Sequence, residues 1–174
     1  EDISKFIPDS RELEHLKKKA ANNDPDSIFV LGNYCEAGAA FTYYPSKSRV
    51  VRIHIVPEYA FGFYQKAADL GHVEAQYRLG NLLLTGFGVE ANSKNAGKYF
   101  ALAAQQSHAL AMGNLSSILL QSEDNEEFES GISWAIKAAN LNNPVGFINL
   151  GVVYKNGQHS YEQDFNMAFE YFSK

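Results

Sequence analysis

The chain contains an internal repeat, and this repeat limits its fold more than any other feature of the sequence. The segment FYQKAADLGHVEAQYRLG at residues 63–80 is matched 36 residues later by YFALAAQQSHALAMGNLS, and 35 residues further on by WAIKAANLNNPVGFINLG. A more divergent copy, EHLKKKAANNDPDSIFVLG, begins at Glu14. The second residue of the alanine pair and the leucine before the next small residue are separated by 11 positions in all four copies. This constant spacing predicts one structural unit used four times.

Each copy has the apolar periodicity of two helices. Gly71 and Gly86 stand where the first and second helices of the second copy should end, as C-terminal glycines commonly do. Asp24-Pro25 and Asn143-Pro144 combine a polar N-cap with a proline in the first turn, which is typical of a helix start. The sequence therefore predicts an all-α fold of antiparallel helix pairs.

Small residues recur in the middle of the second helix of each pair, as Gly32, Gly80, Ser116 and Gly151. Glycine costs about 1 kcal/mol relative to alanine inside a helix. The recurrence of glycine at this position therefore needs a structural explanation. We expect a neighbouring helix to approach closely there, with the alanine pair as the opposing thin surface.

The pattern from Ala67 to Val89, Ala-Ala-x-x-Gly-His-x-x-Ala-x-x-x-Leu-Gly-x-x-x-x-x-Gly-x-Gly-Val, resembles the Sel-one-like repeat, a relative of the tetratricopeptide repeat. The resemblance extends from about Glu12 onward, although the third copy lacks the Gly-x-Gly-Val turn and the fourth has Asn142 for the turn glycine. The resemblance implies a right-handed α-solenoid of about 4.5 repeats that serves as a scaffold for protein–protein contacts. The family has no shared catalytic residues.

We expect one solenoid domain over residues 1–174. Aligning Tyr171-Phe172 with Tyr99-Phe100 places the next alanine pair just after Lys174, so the last helix should be the first helix of a further repeat. The expected parts are repeats at 10–38, 57–86, 92–121 and 124–157, a terminal helix at 162–174 and an insert at 41–56.

The insert carries three basic residues and no acidic one, on a chain whose net charge is −5. Val51, Ile53 and Ile55 alternate with Arg52 and His54, which is the period of an extended strand. Two interpretations remain open. The insert is either a recognition segment, which pairs by strand addition or contacts an acidic partner, or a segment that folds back over the solenoid.

No pattern in the chain indicates catalysis, a metal or a cofactor. His72 and His108 occupy the same place in successive repeats, which makes them turn residues, and no metal-binding spacing of histidines is present. Cys35 lies on a predicted helix and is interpreted as a small buried residue. The net charge of −5 argues against nucleic-acid binding, and no apolar run reaches the roughly 18 residues of a membrane span.

The predicted function is therefore that of a scaffold that binds a protein or peptide and is not an enzyme. By analogy with related solenoids, the first helices should line a concave binding side. Trp134 is a further candidate contact on that side, but the core is the favoured interpretation, because the repeat needs a large side chain at the position shared by Phe63, Tyr99 and Trp134. The alternatives are an auxiliary module of a cell-envelope or carbohydrate-acting system and an element that self-associates through a solenoid end. The expected partner contacts are Tyr43, Tyr44, Arg49 and Arg52 in the insert and Tyr64, Lys98 and Lys137 on the first helices.

Overall fold

The computed structural model describes residues 10–36 and 57–174, and these residues form helices and turns without a strand. The predicted all-α fold of helix pairs is thus confirmed. The insert at 41–56 lies outside the described residues. The helices are α1 (Ser10–Ala21), α2 (Pro25–Glu36), α3 (Pro57–Asp69), α4 (Val73–Thr85), α5 (Ser93–Gln105), α6 (Ala109–Leu119), α7 (Asn125–Asn140), α8 (Pro144–Asn156) and α9 (Phe165–Phe172).

The chain divides into two compact units, residues 1–92 and residues 93–174. The first unit contains the pairs α1–α2 and α3–α4, and the second contains α5–α6, α7–α8 and the last helix α9. The assignment of all residues to a single domain with the expected repeat limits stays a prediction.

The turn inside each helix pair has the same backbone geometry. One residue adopts a positive φ in every pair: Asn23 at 60°, Gly71 at 88°, Ser107 at 67° and Asn142 at 56°. The backbone N–H of the following residue then donates to the carbonyl five residues back, as His72 does to Ala67 at 3.0 Å. The equivalent bonds measure 3.1 Å from Asp24 to Lys19, 3.1 Å from His108 to Ala103 and 3.0 Å from Asn143 to Ala138.

The residue that makes this bond also caps the second helix of its pair with its side chain. His72 Nδ1 accepts from the backbone N–H of Ala75 at 3.0 Å, and His108 Nδ1 accepts from Ala111 at 3.2 Å. The same position holds Asp24 and Asn143, which are ordinary N-cap residues. The prediction that the two histidines are turn residues is confirmed, and a ring nitrogen is the acceptor where the other two pairs have a carboxylate or amide oxygen.

The alanine pair of a first helix packs against the second helix of the same pair. We had expected it to lie opposite the small residues in the middle of the second helices. In the fourth pair, a Cβ atom on Gly146 would lie 2.6 Å from the Ala139 nitrogen and 2.8 Å from the Ala138 Cβ. Gly146 is three residues after the cap, and Ser27, Ala75 and Ala111 share that position. In the fourth pair, small residues therefore face each other across the two helices, and the other pairs also have a small residue at this position.

The mid-helix glycines face a different neighbour. A Cβ atom on Gly32 would lie 2.7 Å from the Tyr64 ring, and one on Gly151 would lie 2.5 Å from the Phe172 ring. The predicted close approach is confirmed at both positions, but the expectation that the alanine pair forms the opposing surface is wrong. An aromatic ring from the next first helix occupies the space that a side chain at the glycine would take.

We predict that Ser107→Gly raises the free energy of unfolding by about 0.5 to 1 kcal/mol, because a non-glycine residue in the left-handed region is strained by about that amount or more. Asn142→Gly should change stability much less, since asparagine tolerates this conformation. Urea unfolding of both variants measures the difference. A Ser107→Gly variant that is less stable than the parent would contradict the strain argument.

We predict that Gly146→Ala lowers the free energy of unfolding by about 1 to 3 kcal/mol, because its methyl group meets backbone atoms of α7 that cannot move aside. The matched control is Gly97→Ala in α5, where the nearest atom, on Ile118, is 3.8 Å from the added Cβ. That control should gain up to about 1 kcal/mol from the higher helix propensity of alanine. Equal stability changes in the two variants, measured by urea unfolding, would refute the packing account.

Candidate binding surface

An aromatic side chain occurs at one position of the first helix in four successive repeats. Phe63, Tyr99 and Trp134 stand one helical turn before an alanine pair, and Tyr171 shares their position in the repeat. Each of the four is half-buried. Trp134 was expected in the core, and the structure corrects this, because part of its indole remains at the surface. The position thus contributes to packing and to the exposed side of the first helix.

Lysine side chains lie beside these aromatic positions. Lys98 of α5 and Lys137 of α7 are both exposed, and their role as partner contacts stays a prediction. Lys137 Nζ lies 4.1 Å from the centroid of the Trp134 ring, within the range of a cation–π interaction. The ammonium group thus lies over the indole on the helix surface.

Tyr64 has a different place from the one expected. Its side chain is 0% exposed, so it is not available as a partner contact. Its hydroxyl group lies 2.8 Å from Asn33 Oδ1 and also donates to the Glu36 carboxylate. Burial, followed by the hydrogen bond to Glu36, holds the pKa of Tyr64 well above its usual value of 10. Tyr64 joins α3 to α2 rather than joining the protein to a partner.

Sequence reasoning missed the polar cluster around this hydroxyl. Arg78 of α4 donates from Nε to Glu74 Oε1 at 3.0 Å, and its Nη1 lies 4.0 Å from Glu36 Oε2. The position of Tyr64 in the repeat contained the missing signal: Phe100 and Ala135, which are equivalent to it, are also fully buried. No equivalent signal exists for Arg78 and Glu36, because the other repeats have different residue types at their positions.

The four insert residues predicted to contact a partner, Tyr43, Tyr44, Arg49 and Arg52, lie outside the described residues. Their role stays a prediction.

His72 and Cys35, which carry potentially reactive side chains, lie in surroundings that favour structural roles. The His72 ring stacks on Phe29 at 4.4 Å, and its Nε2 lies 3.4 Å from an Asp26 carboxylate oxygen. Burial raises the pKa of the Cys35 thiol, which disfavours the reactive thiolate form. Within residues 10–36 and 57–174, no group of three potential ligand side chains could hold a metal ion, and no helix has the length and apolar character needed to cross a membrane.

We predict that alkaline pH destabilises the parent chain more than the Tyr64→Phe variant. The pKa of Tyr64 is raised in the folded state, so its contribution to stability is complete below pH 10 and decreases above it, where the unfolded chain alone ionises. Between pH 9 and pH 11 the parent should lose about 1 kcal/mol more than the variant. Tyr59→Phe, at an exposed tyrosine, is the control. If the free energy of unfolding depends on pH in the same way in the parent and in Tyr64→Phe, the buried hydrogen bond between Tyr64 and Glu36 is contradicted.

Comparison with known proteins identifies the repeat. The family model described as "Sel1 repeat" matches residues 50–72, 73–108, 109–143 and 148–174, which is more than half of the chain. A solved structure with the same fold is that of c5321, a protective antigen of uropathogenic Escherichia coli strains that displays an SLR fold. It aligns with a TM-score of 0.79 and 21% identity over 92% of this chain and 32% of the antigen chain.

Two curated relatives extend the comparison. NMB1327 of Neisseria meningitidis serogroup B is 28% identical over 147 residues, which are 84% of this chain and 28% of that protein. Chitin synthase regulatory factor 2 of Schizosaccharomyces pombe is 41% identical over 68 residues, which are 39% of this chain and 13% of the yeast protein. The chain thus spans less than a third of the length of either relative.

Proposed function

Because the chain belongs to the Sel1 repeat family, we propose that it is a scaffold that binds a protein or peptide partner and catalyses no reaction of its own. Repeats of this family typically mediate protein–protein interaction. The observation that supports a particular surface is the exposed lysine of α7, fixed over the half-buried indole of the same helix.

The proposed binding surface consists of Lys98, Tyr99, Trp134 and Lys137, and we call it the lysine–aromatic surface. These residues stand one, four or five positions before the alanine pair, so in each helix they lie on one stripe. Aromatic side chains lose little conformational entropy on binding and are frequent interface anchors. The lysine ammonium groups favour a partner that presents carboxylates to this stripe.

The insert is proposed as a second, separate recognition element. Its Tyr43 and Tyr44 add aromatic groups, and its Arg49 and Arg52 add positive charge to a chain whose net charge is −5. Arginine and tyrosine are enriched among the residues that dominate binding energy at interfaces. The proposal therefore assigns an acidic partner to both the insert and the lysine–aromatic surface.

A second candidate function is the regulation of a polysaccharide-synthesising system, and the relative named chitin synthase regulatory factor 2 supports it. In this case the partner would be the synthase or one of its accessory proteins. Direct stacking of a sugar on Trp134 is disfavoured, because the Lys137 ammonium group already occupies one face of the ring. Both candidates thus act through a protein contact.

We predict that the double substitution Lys98→Glu with Lys137→Glu reduces capture of the partner at least tenfold, because it reverses the charge of the lysine–aromatic surface. The assay is affinity capture from lysates of the source organism and of candidate hosts, with quantitative mass spectrometry. A variant with residues 42–55 replaced by a Gly-Ser linker tests the insert separately. Identification of a polysaccharide synthase or its accessory protein as the captured partner would favour the second candidate.

The matched control is Lys18→Glu with Lys19→Glu, which makes the same change of charge on the exposed side of α1. It should leave capture unchanged. Equal losses in the two double variants would show that net charge, rather than this surface, determines binding. Unchanged capture by both the lysine variant and the linker variant would refute the proposed surface.

A further inference from the structure

Two of the first helices, α3 and α7, carry the same three residue types at equivalent repeat positions. An aromatic residue is followed by a lysine three positions later and by a leucine four positions after the lysine. This spacing places the three side chains on one side of a helix. We call each set a trio: the first trio is Phe63, Lys66 and Leu70, and the second trio is Trp134, Lys137 and Leu141.

The leucine of each trio continues the last turn of its helix. The backbone N–H of Leu70 donates to the Lys66 carbonyl at 3.3 Å, and that of Leu141 donates to the Ala138 carbonyl at 3.0 Å. Leu70 is 44% exposed and Leu141 is 50% exposed. The lysine of each trio is also exposed, and the aromatic residue is half-buried. All three side chains are therefore accessible at the surface of each helix.

The repeat does not require a leucine at this position. The first and third pairs have the same positive-φ turn, and they carry Asn22 and Gln106 where the trios have leucine. The other trio positions differ in these pairs as well. The first pair has His15 at the aromatic position, and the third has Leu102 at the lysine position. The leucine thus occurs only together with the aromatic residue and the lysine.

The charge of the trio lysines is not balanced by an acidic side chain. Among the described residues, the basic partners in ion pairs are Lys17, His72 and Arg78. Lys137 Nζ instead lies 4.1 Å from the centroid of the Trp134 ring. A carboxylate from outside can therefore approach this ammonium group without displacing an acidic group of the chain.

We propose that the two trios are two copies of one binding site, and that each binds an extended segment of a partner protein. In this segment an acidic residue lies between two apolar residues. Its carboxylate pairs with the lysine ammonium group, and its apolar side chains pack on the aromatic ring and on the leucine. The inference rests on the proposed function, since it takes the occupant to be a protein, and it adds the first trio, which the lysine–aromatic surface does not include.

The order of the groups along the helix selects a polypeptide as the occupant. The ring comes before the lysine and the leucine comes after it, so the bound carboxylate needs apolar neighbours on both sides. A fatty acid or similar amphiphile carries its carboxylate at one end and has an apolar neighbour on one side only. An acidic residue inside a peptide can have both.

The width of the trio selects an extended conformation. Every second side chain of an extended chain points to the same side, so the pattern apolar-x-acidic-x-apolar presents three groups over about 13 Å. A trio spans seven helical positions, which is about 10 Å, and its long side chains can cover the difference. A bound amphipathic helix would need a wider apolar face than this single row of side chains.

The test is an NMR titration of the ¹⁵N-labelled 174-residue chain with the capped peptide acetyl-Gly-Ser-Leu-Ser-Glu-Ser-Leu-Ser-Gly-amide. We expect saturable shift changes at the amides of both trios and at the indole N–H of Trp134, the single tryptophan of the chain. Lys66→Glu should weaken binding at the first trio at least fivefold and leave the second trio unchanged. Lys137→Glu should have the reverse effect. A peptide with glutamine in place of glutamate should bind both trios at least fivefold more weakly.

Lys18→Glu is the matched control, because it makes the same change of charge at the equivalent position of α1, where His15 and Asn22 replace the ring and the leucine. It should leave binding at both trios unchanged. Laurate, which has the carboxylate at one end, should not displace the peptide.

The proposal is overturned if the shift changes do not saturate or occur at one trio only. Equal weakening in Lys18→Glu and Lys66→Glu, or displacement by laurate, also overturns it. The capture assay with Lys98→Glu and Lys137→Glu is a separate measurement. Loss of capture in that double variant, together with absence of peptide binding to the parent chain, would overturn the trio sites and leave the proposed function in place.

Discussion

The turn between the two helices of a pair is the constraint on which the rest of the molecule depends. A positive φ, a backbone bond to the carbonyl five residues back and a side-chain cap occur together in each of the four described pairs. These features satisfy backbone groups that a helix end would otherwise leave without partners. They also bring the second helix back antiparallel to the first, so that each pair can bury one apolar side.

Close packing then determines which side chains the two helices can carry. Within a pair, Gly146 faces the alanines of α7, and between successive repeats a ring such as Phe172 fills the space beside Gly151. In the third repeat, Ser116 replaces the glycine, and the next first helix has Ala135 where the others have a ring. A larger side chain on one helix is thus matched by a smaller one on the neighbouring helix, as a close-packed interior requires.

The same packing leaves particular side chains at the surface, where we propose that a partner binds. Because the alanine pair occupies the inner side of each first helix, residues one turn earlier lie at its margin, where an aromatic ring is half-buried and a lysine can rest on it. Trp134 and Lys137 show this arrangement. The ring is half-buried, and the Lys137 ammonium group lies 4.1 Å from its centroid. Side chains whose motion is already restricted lose less conformational freedom on binding than mobile side chains do.

The sequence by itself determined the helix pairs, their turns and the place of His72 and His108 in those turns, because these depend on residues within one or two turns of each other. The tertiary structure decided which face of each helix is covered, and this depends on neighbours about 30 residues away in the chain. Tyr64 appeared to be a surface contact by its residue type, yet it lies in the core because Gly32 leaves room for its ring. Trp134 appeared to belong to the core, yet it is half-exposed.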